Sequence, residues 1–215
     1  MKKTPYVFQS RKELLKLLQS KTTRAHAKEF FSKRLPDIES VVLQSIAGNT
    51  FRAFQKLPER PSIVFRTWAS ARLHLTLETL KSITDHQSYA DYVHYSAQNL
   101  CKTWLSTMHK EIGYGRSTKL INLVLKKLAY LEGIDESFRK RIIKYQHVPL
   151  DSYTIVGLKK LIPNLAIKKN STMKFIEKPS DYRMVQRYIS DVAMEAGVPP
   201  IYYDILAWDM SHEIG

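Results

Sequence analysis

Residues 112–128 read IGYGRSTKLINLVLKKL: two glycines and a basic cluster lead into an apolar run at helical spacing. Gly113 and Gly115 permit a tight turn, and the free amides of the helix start behind them can receive a phosphate, with Arg116 alongside. Two glycine-loop patterns fail here. Lys119 follows Thr118 and precedes Leu120, so Gly-x4-Gly-Lys-Ser/Thr is not met. Ser117 and Thr118 stand where the third glycine of a dinucleotide fingerprint would fall, and no strand precedes the turn. An ordinary helix start accounts for the glycines equally well.

The helical period of this block runs through the rest of the chain. SRKELLKLLQS (10–20) begins with Ser10 as an N-cap and Glu13 three residues on, a capping-box pattern. DIESVVLQSIAGNTFRAF, VFRTWASARLHLTLETLKSI, SYADYVHYSAQNLCKTWLSTM and residues 180–196 repeat apolar side chains at three and four. Proline and glycine fall between these units, at 58–61, 113–115, 149, 163, 179 and 197–200. SIVF and YTIV are short strand candidates set beside better helical patterns. The expectation is an all-α fold of about eight to ten helices in one domain, 1–215, with approximate lobes at 1–110 and 111–215.

Thirty-four Lys and Arg against 20 Asp and Glu give the 215 residues a formal charge of +14. Such an excess favours a polyanion partner, because phosphates bound by Lys and Arg release counterions. An anionic membrane surface is the rival. It is weakened because no helix sets a basic face against a strongly apolar one along its whole length. No uncharged apolar stretch is long enough to span a bilayer, and Arg11, Lys12 and Glu13 interrupt any signal-peptide core. The single cysteine, Cys101, excludes an internal disulfide and a cysteine zinc site. An intracellular protein, cytoplasmic or nucleoid-associated, is expected.

Three stretches carry candidate chemistry. Lys119 falls near a helix start, where the dipole and Arg116 disfavour an ammonium, so it is a candidate amine nucleophile. In HVPLDSYTIVGLKKLIP (147–163), a proline-stiffened apolar approach ends at Asp151, which reads as an N-cap and also as a carboxylate able to offset a developing cation. In EAGVPPIYYDILAWDMSHEI (195–214), Asp204 and Trp208 stand four apart, on one helical face. A carboxylate beside an aromatic plate suits a purine-like ring, by stacking on its face and accepting from its N–H edge.

Together these stretches resemble the helix-hairpin-helix DNA glycosylases, and within them the archaeal 8-oxoguanine DNA glycosylase branch. That superfamily places a catalytic lysine in the helix after a hairpin and a catalytic aspartate after a V-P-V-D-type motif. Lys119 and HVPLD ending at Asp151 match, 32 residues apart as in the archaeal branch. AMEAGVPPIYYDILAWD (193–209) is similar to that branch's A-x-E-x-G-I-P-P entry to a D-x-x-x-W helix. The hairpin departs from the usual L-P-G-V-G form, and the stretch from Tyr89 to Lys119 is shorter than its counterpart.

The resemblance implies two helical lobes around a DNA-binding cleft that contains a helix-hairpin-helix element. It implies a bifunctional N-glycosylase/AP lyase acting on duplex DNA, as a monomer and with neither metal nor organic cofactor. Lys119 would be the Schiff-base nucleophile and Asp151 its partner. Asp204, Trp208 and Tyr89 would bind the base, 8-oxoguanine in that family's manner; Gly113, Gly115, Arg116, Lys126 and Lys127 would hold the backbone. A glycosylase for a different modified base and a non-catalytic DNA-binding protein of the same fold are the alternatives.

Overall fold

The computed structural model describes residues 4–47, 50, 51, 54 and 56–213. Ten α-helices are present among them: α1 Arg11–Gln19, α2 Lys21–Ser32, α3 Ile38–Ser45, α4 Pro61–Lys81, α5 His86–Met108, α6 Tyr114–Leu128, α7 Glu136–Tyr145, α8 Ser152–Gly157, α9 Pro179–Glu195 and α10 Tyr202–Glu213. Two 3-10 turns, Pro163–Leu165 and Met173–Phe175, lie between α8 and α9. The described residues form no strand; a single parallel bridge joins Leu35 to Leu131. SIVF and YTIV are both helical, within α4 and α8. No helix among the described residues is long and apolar enough to cross a membrane.

Local chemistry sets the helix starts. Ser10 Oγ accepts from the Glu13 amide, as the sequence pattern requires. The Glu13 carboxylate reaches the Gln9 amide at 2.5 Å and the Tyr6 hydroxyl, so the return half of the box closes one residue earlier than expected. Asp85 and Ser88 form a reciprocal box at the start of α5.

Helix α6 is the centre of the molecule. Leu120, Ile121, Val124, Leu125 and Leu128 are buried, and the helix packs against both α3 and α5. Its remaining face carries Lys119, Leu123, Lys126 and Lys127 at i, i+4, i+7 and i+8, and these line a cavity.

Packing does not divide at residue 110. Helices α1 and α2 lie against α9 and α10, far along the chain, while α3 to α6 pack among themselves. The cause is the segment before α1: the Phe8 amide donates to Gly157 O at 3.1 Å and the Tyr6 amide to Ser211 Oγ at 2.9 Å. Phe8 is fully buried against Tyr203. The buried apolar side chains of both groups merge into one core.

Gly115 owes its identity to packing. A Cβ there would stand 2.1 Å from Met173 O and 2.6 Å from Ile176 O. Gly113, by contrast, caps α6 at φ +83°, a backbone that favours glycine, with open space around it. Gly115→Ala must therefore push the 173–176 turn off α6; urea unfolding is expected to show a loss of about 1–3 kcal/mol. Unchanged stability would mean that this turn is not held against α6.

Candidate active site

The cavity beside α6 encloses about 690 Å³, and its lining includes Lys119, Lys126, Lys127, Asp151, Asp204 and Trp208. That volume falls in the range of small-molecule sites. The sequence separates these residues by as much as 89 positions, and three helices bring them together: α6, α8 and α10.

Lys119 sits in the second turn of α6, six residues after its Gly113 cap. The dipole argument for this lysine therefore weakens, because the field of a helix terminus fades within a turn. Its environment is set instead by Asp151, whose Oδ2 is 3.6 Å from Lys119 Nζ; the two side chains are only 15% and 10% exposed. Asp151 Oδ1 accepts from the amides of Tyr153 at 2.9 Å and Thr154 at 3.2 Å, while Thr154 Oγ1 accepts from the Asp151 amide. Capping and lysine pairing are thus made by different oxygens of one carboxylate.

A buried network fixes where Asp151 stands relative to α6. Gln186 of α9 clamps Val148 from both sides, accepting from its amide at 2.9 Å and donating to its carbonyl at 2.7 Å. Asn122, one turn beyond Lys119, donates to the Tyr182 hydroxyl at 2.8 Å. That hydroxyl meets His147 Nδ1 at 2.9 Å, four residues before Asp151. Burial, and then the nearby His86, push the His147 imidazole down to a pKa of about 3, so it is neutral and accepts from the hydroxyl.

Asp204 lies on the first turn of α10, 3% exposed, with Oδ2 at 2.5 Å from Lys126 Nζ. Burial raises its pKa, Lys126 opposes that shift, and Asp151 and Lys119 act on it in opposite directions. Two lysine–aspartate pairs therefore share one cavity. Trp208 is 41% exposed, and its ring lies parallel to that of His212, with centroids 4.8 Å apart; Tyr153 tilts against it at the same distance.

The predicted site residues do not all share this cavity. Tyr89 lines neither this cavity nor the next; it is 1% exposed and packs edge-on against His147, behind the segment that carries Asp151. Gly115 is buried under the 173–176 turn, whose carbonyl oxygens fill the space a side chain would take. Lys126 and Lys127 point into the cavity because they share the Lys119 face, not an outer basic one. Gly113 is exposed at the α5–α6 turn. Arg116 lies over the Phe54 ring at 4.7 Å and lines a second cavity of about 310 Å³, which Lys119 also borders.

Phe30, Tyr153, Asn122, Tyr182 and Gln186 belong to the site or its support without a motif that marks them in the sequence. Counting i+4, i+7 and i+8 from Lys119 finds the lysines of the cavity face; no comparable signal marks the others. Among the described residues, no cluster of three or more His, Cys, Asp or Glu side chains is arranged to hold a metal. Comparison with protein families, curated proteins and solved structures returned no match.

The network has a pH signature. Folded His147 stays neutral down to about pH 3, whereas the unfolded chain takes up that proton below about 6.5. The unfolded state binds more protons in this window, so stability falls as pH falls from 6.5 towards 3, by up to about 1.4 kcal/mol per pH unit. Denaturant titrations at pH 7 and 4.5 should show a smaller pH-dependent loss for His147→Gln than for the unaltered protein; equal losses would refute the assignment.

Proposed function

We propose that the protein is a bifunctional DNA N-glycosylase/AP lyase that removes an oxidised purine, 8-oxoguanine, from duplex DNA. The observation that carries this reading is the pairing of Lys119 with Asp151 at 3.6 Å on the wall of a cavity that also contains Trp208 and the Asp204–Lys126 pair. The formal charge of +14 supports a DNA partner.

A base within a duplex is out of reach, so the nucleotide rotates out of the stack, at a cost of a few kcal/mol. The cavity receives the base. Trp208 offers a stacking face, Asp204 accepts from the N–H groups of a guanine-type edge, and Lys126 holds that carboxylate in place while offering a donor to a base carbonyl. The α5–α6 turn, with the exposed Gly113 and the neighbouring Arg116, takes a flanking phosphate.

Lys119 must attack as a neutral amine, and Asp151 Oδ2 is placed to receive its proton. The Nζ–C1′ bond forms as the bond from C1′ to the base breaks, and the electron pair leaves with the base. Sugar ring opening then gives a protonated Schiff base on Lys119. Loss of a C2′ proton drives β-elimination, which breaks the C3′–O bond and nicks the strand. Asp151 passes the proton it took to O4′ as the sugar ring opens, and the carboxylate so regenerated offsets the positive charge of the Schiff base on Nζ.

Lys119→Gln is expected to abolish borohydride trapping of the protein on damaged DNA; undiminished trapping would sink the nucleophile assignment. Asp151→Asn should retain DNA binding while base release drops by about 100-fold or more. Near-normal turnover in that variant would refute the role given to the carboxylate.

A further inference from the structure

Three lysines and three aspartates line the main cavity, and all but one are matched. Lys119 faces Asp151 and Lys126 binds Asp204, while Asp209 Oδ2 meets His26 Nδ1 at 2.8 Å. Lys127 has no carboxylate within 4.0 Å among the described residues. Its Nζ lies instead 5.1 Å from the centre of the Phe30 ring and 4.4 Å from that of Tyr130. Ring faces compensate an ammonium only in part. Burial and the neighbouring Lys126 and Lys33 lower the Lys127 pKa to about 8. A half-buried cation next to an already neutralised pair is a place where an anion would be stabilised.

We propose that Lys127 is the anion-binding residue of this cavity and that it stabilises the negative charge collecting on the base as it departs. This rests on the base-excision reading. When the C1′–N bond breaks, its electron pair stays on the base, which is an anion until water protonates it. In an oxopurine that charge spreads onto carbonyl oxygens at the ring edge. Lys126 is neutralised by Asp204, whose carboxylate repels such an anion, so the uncompensated charge of Lys127 decides the local field. The same field disfavours a base that carries a formal positive charge and leaves as a neutral molecule. Lys127 therefore selects oxidised, carbonyl-rich purines and rejects N-alkylated, cationic ones.

The test is single-turnover kinetics of the unaltered protein, Lys127→Met and Lys127→Arg on two duplexes, one holding 8-oxoguanine and the other a preformed abasic site. The abasic duplex has no base to expel, so it reads Lys119 and Asp151 alone, and it also reports whether each variant is folded. Lys127→Met should slow base release on the order of tenfold to a hundredfold. Trapping and strand cleavage at the abasic site should stay within about twofold. Lys127→Arg should restore most of the base release, since charge and not proton donation is required. Equal losses on both duplexes, or unchanged base release, would overturn the assignment. If the unaltered protein is not trapped at the abasic site, the base-excision reading itself falls, and this assignment with it.

Discussion

Asp151 divides its two carboxylate oxygens between holding the chain and facing Lys119. Oδ1 takes two amides at the start of α8, while Oδ2 is turned towards the lysine. A carboxylate fixed in this way has little rotational freedom left, so its second oxygen is aimed before any ligand arrives. The arrangement depends on the extended segment that delivers Asp151. That segment is clamped by Gln186 and tied through His147 and Tyr182 to Asn122, on the same helix as Lys119. The distance between the two groups is thereby referred to one rigid element, α6.

The cavity holds charge that a hydrophobic filling would not need. Asp204 and Lys126 are almost wholly buried, and Lys119 and Asp151 nearly so. Removing such charges from water costs several kcal/mol per ion, which their mutual attraction offsets only with good geometry. Apolar residues of the same volume would often be at least as stable. Charge retained in these positions departs from what stability alone would favour, a departure expected where a site has chemistry to perform.

Much of the fold could be read from periodicity. Apolar repeats at three and four, with proline and glycine between them, mark helices that the structure contains, and SIVF and YTIV yield to that stronger pattern. The long pairing of Lys119 with Asp151 was legible only through the resemblance of two stretches to the motifs of a known family. Other features were not, for physical reasons. Tyr89 looks like a candidate for a pocket wall, but a tyrosine on a helix does not reveal which side faces a cavity and which the core. Gly115 resembles a turn glycine, yet its requirement comes from carbonyl oxygens nearly sixty residues downstream. Lys126 and Lys127 look like solvated charges until the helix is turned so that Lys119 faces inward. The contacts of Tyr89 and Gly115 are long-range and no local pattern encodes them, whereas the two lysines follow from helical spacing once Lys119 is placed.

Helices α1 and α2 bury Leu14, Leu18, Ala27 and Phe31, and their packing partners include α9 and α10. Tyr6 and Phe8 likewise dock onto Ser211 and Gly157. During synthesis on a ribosome, the first helices thus emerge long before the surfaces that cover them, and must wait with apolar faces uncovered. Closing so long a loop is slow relative to local helix pairing. Since Phe8 and Tyr203 press on Gly157 at the end of α8, the helix that aims Asp151 is enclosed by residues far apart in the sequence. α3 to α6 can set Lys119 on its helix by packing among themselves, whereas the carboxylate opposite it is held by contacts between distant parts of the sequence.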